Sequence, residues 1–358
     1  MNWFIICIFL ISIALFLITK YYYLKQQTKL EKIEAFELES KLTSKLTSKE
    51  KLDKYHNITI KYINSEEAKE LIKKNGVYLQ GMNQANLSAR HCSDLDDLYN
   101  KYLSGFDDIT ENEKKTVDAF LLNLLTDIQK YNVPYYKYVK NWLQNISFTK
   151  AKKWLESGMP HTLNNTIVMD ADWFTNPRKV TLLHEIAHVH QRNDPLDFDE
   201  FYPSLGYIYN PADIKGLEYI YPLNRNNPDG TSKYWLWNDN VSNAPNTSNT
   251  SNIYWIGAIF KNATPNNLTD VNMVALQLDN GSDGTYYYIK QNPIQLNNLK
   301  SFVNFFGENP NNYHPNEMTA KFAEWYLSDV LRERINNDYE GYKIYKKYFE
   351  KLINKYHA

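Results

Sequence analysis

The sequence predicts a mixed α+β domain with a β-rich insertion, preceded by an amino-terminal membrane span, and three observations lead there. An apolar run from Trp3 to Thr19 is broken only by Ser12. Apolar residues then recur at helical spacing through Val117, Phe120, Leu121, Leu124, Leu125 and Ile128, the mark of one buried helix face. Between about 195 and 312, short aromatic pieces alternate with Asn, Gly and Pro turns, which reads as a series of strands. The balance of 40 Lys+Arg against 41 Asp+Glu leaves no net field to attract nucleic acid. Of the two cysteines, Cys7 falls in the apolar run and Cys92 beyond it, so the rest of the chain has no internal disulfide to form.

Residues 1–20 are expected to anchor the chain. The apolar run is at the short end of the roughly 17–25 residues a spanning helix needs, and Lys20 with Tyr21, Tyr22 and Tyr23 forms an interfacial belt after it. Met1-Asn2 on one side and bulky tyrosines on the other do not suit a cleaved signal peptide. Lys20, Lys25, Lys29 and Lys32 all follow the span, which places the folded part on the cytosolic side. Sequons at Asn57, Asn145 and Asn262 point the other way, but a chain this rich in Asn, Ser and Thr generates them by chance.

Residues 21–56 read as a charged, helical stalk, with Lys41-Leu42-Thr43-Ser44 repeated as Lys45-Leu46-Thr47-Ser48. The folded domain is expected over 57–358. It opens with a strand at Ile58–Ile63 and a helix capped by Ser65 that stops at Gly76. Thr110 caps the long helix, and Pro134 ends it. Strands follow at Ile146–Lys152 and Thr166–Asp170, separated by the turn Gly158-Met159-Pro160-His161. Thr175 is the expected cap of the next helix, with Pro177 in its first turn. The insertion offers strands at Tyr234–Trp237, Ile253–Phe260, Val274–Leu278 and Tyr286–Ile289, with a polar loop at Asn240–Asn252. Two helices, from Pro315 to about Arg334 and from Tyr339 to Tyr356, close the chain.

The chemistry lies in His184-Glu185-Ile186-Ala187-His188, an HExxH motif in an apolar helix. Histidines four apart share a helix face, so both imidazoles reach one metal ion and the glutamate between them sits beside its open position. A hydrolytic zinc site needs three protein ligands and one position for water. Glu317, in the first turn of the helix that begins at Pro315, is the candidate third ligand, and Ala320 one turn on allows close helix approach. Asp194, six residues after His188, is the competing acid. His190 is turned about 200° around the helix from His188 and is expected to be a hydrogen-bonded or surface residue.

Together these motifs resemble the zincin-like metallopeptidases, and within them the glutamate-ligand branch typified by thermolysin. The second motif of that branch, Asn-Glu-x-x-Ser-Asp, is matched by Asn316-Glu317, whereas Ala320 and Lys321 replace its last two residues. Lys321 stands where the family has the aspartate that orients a ligand histidine, which leaves that role without an owner. The separation of His188 from Glu317 also exceeds the family's, and the β-rich insertion accounts for it. In families that take their third ligand six after the second histidine, a glycine turns the chain where Gln191 stands here. The resemblance implies a Zn²⁺ peptidase acting on peptide or protein substrates, with Thr166-Ile167-Val168-Met169 as an edge strand that binds substrate backbone.

The implied chemistry makes His184, His188 and Glu317 the metal ligands and Glu185 the general base that moves a proton from water to the leaving amine. Tyr202, Tyr207, His161, Tyr313 and His314 are the candidates for a second oxyanion donor. Two other readings follow from the same residues: a zincin-fold membrane protein that has lost activity and binds or scaffolds, and a metal-free tethered interaction protein.

Overall fold

Local sequence signals start most elements, and the termini of the helices show how. The computed structural model describes residue 25 and residues 46–75, 77–229, 235–242, 252–289, 292–308, 313–333 and 337–356. The expected span over 1–20 lies outside the described residues, as do most of the stalk and most of the loop at 240–252. Among the described residues no helix is long and apolar enough to cross a membrane.

The folded part begins before residue 57. Thr47 and Glu50 close a capping box, after which Leu52 is buried and His56 Nδ1 lies 3.0 Å from the Tyr136 hydroxyl. Strand β1 is Lys61–Tyr62, shorter than expected. Helix α1, Ser65–Asn75, is capped by Asn64 rather than Ser65: Asn64 Oδ1 accepts from Glu67 N at 2.9 Å, while the Ser65 hydroxyl donates to Asp108. After β2, Phe106–Asp107, Thr110 and Glu113 form the capping box of α2, Glu111–Tyr131, as its sequence predicts. Pro134 does not merely end that helix. It starts α3, Val133–Asn145, where a proline in the first turn gives up no hydrogen bond.

Strands β3 (Ser147–Ala151), β4 (His161–Leu163) and β5 (Thr166–Asp170) complete the first sheet, in the order β1-β3-β5-β4 with β2 against β3. β1, β3 and β5 are mutually parallel, whereas β4 runs antiparallel to β5. β5 is therefore an interior strand, and β4 forms the edge. Asp170 caps the short helix α4, Ala171–Thr175, so Thr175 ends a helix instead of capping the next one. The motif helix α5, Lys179–Asn193, starts at Arg178 without a side-chain cap. Its Leu182, Leu183, Ile186 and Val189 are buried in one core with Leu121, Leu125 and Ile128 of α2.

The segment after α5 forms a six-stranded antiparallel sheet: β6 (Tyr207–Tyr209), β7 (Trp235–Asn238), β8 (Ile253–Phe260), β9 (Val271–Asn280), β10 (Tyr286–Tyr288) and β11 (Ile294–Gln295). Its order is β10-β9-β8-β7-β6, with β11 paired to β9. The chain is thus a mixed α+β structure with a second sheet set between two site helices. α6, Pro315–Val330, returns from this sheet to pack along α5, and α7, Glu340–Ile353, covers α6. Ala320 and Ala323 of α6 are buried and small, which allows the close approach that the site needs.

Candidate metal centre

α5 places His184 and His188 one turn apart, with ring centroids 4.7 Å from each other. α6 supplies Glu317 from its first turn, behind the cap His314 and Pro315 at its start. Glu317 Oε2 lies 3.4 Å from His184 Nε2, and Oε1 lies 3.8 Å from His188 Nε2. Ligand atoms from these three residues fall within 4.8 Å of one another, a separation that a metal ion can bridge. All three expected ligands are brought together.

The outer nitrogens are fixed as well. His184 Nδ1 lies 2.9 Å from Glu324 Oε1, and His188 Nδ1 lies 2.8 Å from Gln191 Oε1. Gln191 Nε2 donates to Asn316 O and Thr319 Oγ1, so its oxygen has to face the imidazole. Each Nδ1 is thereby held by a second group, and each Nε2 is the ring nitrogen on the Glu317 side, free to take a metal once it is deprotonated. Glu324 is thus the partner of a motif histidine that was left without an owner in the sequence. Lys321 Nζ in turn pairs with Glu324 Oε2 at 2.7 Å. The available signal was spacing: Glu324 follows Glu317 by two helical turns and shares its face. Glu324→Gln is expected to lower zinc affinity by about 10–100-fold while the fold survives, as measured by chelator competition on the purified protein.

Electrostatics suit a cation. Burial disfavours the charged form of every group here, but His188 and His184 together hold the Glu317 carboxyl at about 2. For His184, burial opposes protonation, yet the hydrogen bonds to Glu317 and Glu324 raise its pKa well above the ordinary value. Burial first, and then the nearby Asp229 carboxylate, push Glu185 well above the usual carboxylate range. Glu185 Oε2 is buried with no hydrogen-bond partner, facing the same cavity of about 270 Å³ as the three ligands. A buried, unpaired carboxylate costs stability, so its place beside the ligands fits a group that works on a bound molecule.

The competing acid is elsewhere. α5 continues to Asn193, and Asp194 Oδ2 comes to 3.9 Å from His190 Nε2, not to the motif histidines. His190 is fully buried, its Nδ1 3.0 Å from the Tyr138 hydroxyl and its Nε2 3.4 Å from Asp197. It is a core histidine held by hydrogen bonds.

Among the five candidate donors, only His161 lines the cavity. Its Nδ1 lies 3.1 Å from Met159 O, and its buried Nε2 has no hydrogen-bond partner. A tight turn aims it there: Glu156, Ser157 and Gly158 have φ of 45°, 55° and 73°. Left-handed backbone at two non-glycine residues costs about 1 kcal/mol or more each. Buried bonds from Arg90 and Tyr102 to the Glu156 carboxylate offset it. Tyr202 is committed to Asn316 Oδ1 at 2.7 Å, and Tyr207 packs against Tyr202 and Phe306. The Tyr313 hydroxyl accepts from Asn227, and His314 Nδ1 accepts from Asn316 N as the α6 cap.

The expected edge strand requires a correction. Thr166–Met169 is paired on both sides and buried, because β4 was hidden in what reads as a turn. β4 is the strand whose free edge borders the cleft, with His161 at its start. No protein-family model matches the chain, and no curated protein or solved structure shows significant similarity to it.

Proposed function

We propose that this chain is a zincin-like, zinc-dependent peptidase that hydrolyses peptide bonds with Glu185 as general base. The observation that carries the reading is the convergence of His184 Nε2, His188 Nε2 and the Glu317 carboxylate beside the unpartnered Glu185. Two imidazoles and one carboxylate are a ligand set that zinc favours and that leaves a coordination position open. Zinc, when bound, supplies Lewis-acid polarisation of water and of the scissile carbonyl.

The chain's own residues do the rest. Glu185 accepts a proton from the attacking water and delivers it to the leaving amine, its Oε2 being buried beside the ligands without a hydrogen-bond partner. His161, its ring oriented by Met159 O, turns its unpartnered Nε2 towards the cavity where the oxyanion would develop. The outer edge of β4 holds an extended backbone beside α5, by the strand addition that the resemblance to glutamate-ligand zincins implies. The amino-terminal apolar run adds membrane anchorage to the proposal, with the lysines after it favouring a cytosolic domain.

An inactive binding or scaffolding zincin would have no use for a buried Glu185 without a partner. The test is metal analysis joined to turnover. The purified protein is expected to retain close to one equivalent of zinc and to cleave a peptide library. A strong chelator should abolish cleavage and zinc should restore it; retention below about half an equivalent would sink the zinc reading.

A further inference from the structure

The segment Arg225–Asp229 of the insertion crosses the cleft between the two sheets. Its start is tied to the second sheet, with Arg225 N donating to Ala258 O at 2.9 Å. Buried Arg90 and Asn86 hold its middle: Arg90 Nη2 donates to Asn226 O at 3.3 Å and Asn226 N donates to Asn86 Oδ1 at 2.9 Å. Three contacts then fall on groups that a bound peptide would need. Asn227 Nδ2 donates to Glu317 Oε1 at 2.6 Å. Asn316 Nδ2, beside Glu317, donates to the backbone oxygen of Asp229 at 3.0 Å. Thr162 N, on the outward edge of β4, donates to Asp229 Oδ1 at 3.1 Å.

The last contact matters most. In the antiparallel pairing of β4 with β5, Thr162 N–H points away from the sheet, and it is the edge donor to which an added strand would bond. Asp229 satisfies it with a side-chain oxygen, and the Thr162 hydroxyl donates to that same oxygen, with Arg192 Nη2 3.4 Å away. Asp229 is buried, so its carboxylate is held in a built position and not by chance at a surface. The cavity of about 270 Å³ beside the ligands and another of about 420 Å³ share His188, Asn227, Pro228 and Asp229 as walls. The strap divides what would otherwise be one groove running past the ligand histidine.

We propose that Arg225–Asp229 is a built-in pseudosubstrate: it lies where an extended peptide must lie, and Asp229 marks a subsite, formed by Thr162 and Arg192, that takes an acidic side chain. The inference rests on reading the cleft as a peptide groove, and binding without turnover separates the two. The probe is a capped peptide copying residues 222–229, with a counterpart carrying Asn for the final Asp. Both are titrated by calorimetry against the full chain in detergent, metal-free and zinc-loaded.

Asp229→Ala is expected to bind the acidic peptide about tenfold or more tightly than the unaltered protein does, because the internal competitor has lost its anchor. It should also prefer the acidic peptide over the Asn peptide by about tenfold, and Arg192→Ala added to it should erase that preference. Asp229→Asn, which keeps the shape and one acceptor oxygen, replaces the alanine variant if circular dichroism shows that the latter does not fold. Equal affinity of folded Asp229 variant and unaltered protein for the acidic peptide, or no discrimination between the two peptides, would overturn the pseudosubstrate. Acidic-peptide binding in a protein that never cleaves would instead remove the peptidase reading and leave the groove.

Discussion

Glu185→Gln is expected to reduce peptide cleavage by about a thousandfold or more while zinc content stays at the level of the unaltered protein. The size follows from what general-base transfer contributes, roughly 10²–10⁴-fold, applied to a group with no substitute nearby. Of the other carboxylates on the cavity, Glu317 and Glu324 are engaged by His184, Glu156 by Arg90, and the Asp229 oxygen already accepts from Thr162 and lies within reach of Arg192. The zinc content should hold because Glu185 is not among the three residues whose ligand atoms converge. Glutamine keeps the shape and one acceptor oxygen, and it removes a carboxyl whose charged form burial disfavours. The folded state should be as stable as before or slightly more so, which thermal unfolding would register. Cleavage at the unaltered rate would remove Glu185 from the mechanism. Loss of zinc in parallel with activity would make it a ligand instead.

The grouping of His184, His188 and Glu317 was legible in the sequence because its logic is local. HExxH fixes two ligands by helical spacing, and Pro315 followed by Asn316-Glu317 marks a helix start that puts a carboxylate at its opening. Elements with strong local signals also came out where expected: the capping box of α2, and the apolar strands Thr166–Asp170 and Ile253–Phe260. Two kinds of feature were not legible. Short elements without a full period gave no signal, so three-residue β4 hid behind a Pro turn, and its position turned the expected edge strand into an interior one. A proline has two meanings, and Pro134, which follows the end of α2, also opens α3. The rest depends on contacts between residues far apart in the chain, which no spacing rule encodes. Asn227 on Glu317 and Asp229 on Thr162 are of this kind.

Glu317→Ala is expected to strip the protein of zinc, by substantially more than the 10–100-fold typical of losing a supporting hydrogen bond. With the carboxylate gone, His184 and His188 remain oriented by Glu324 and Gln191, yet two imidazoles are short of the three ligands a retained zinc requires. Among the described residues the other nearby carboxylates are engaged: Asp194 faces His190, Glu324 is held by His184 Nδ1 and Lys321, and Asp229 accepts from Thr162. Asp194→Ala is therefore the matched control, expected to keep full zinc. The loss should be in metal binding more than in folding. In the metal-free protein the Glu317 carboxylate answers the two histidines and Asn227, but burial works against its charge, so removal trades one cost for another. Glu317→Gln separates the two effects, since it keeps the volume against α5 and the acceptor for Asn227 while withdrawing the charge. If zinc content falls equally in the Gln and Ala variants while both melt near the unaltered temperature, the carboxylate acts as a ligand. If the Ala variant alone fails, and by unfolding, Glu317 serves packing between α5 and α6, and the metal must be held by some other third group.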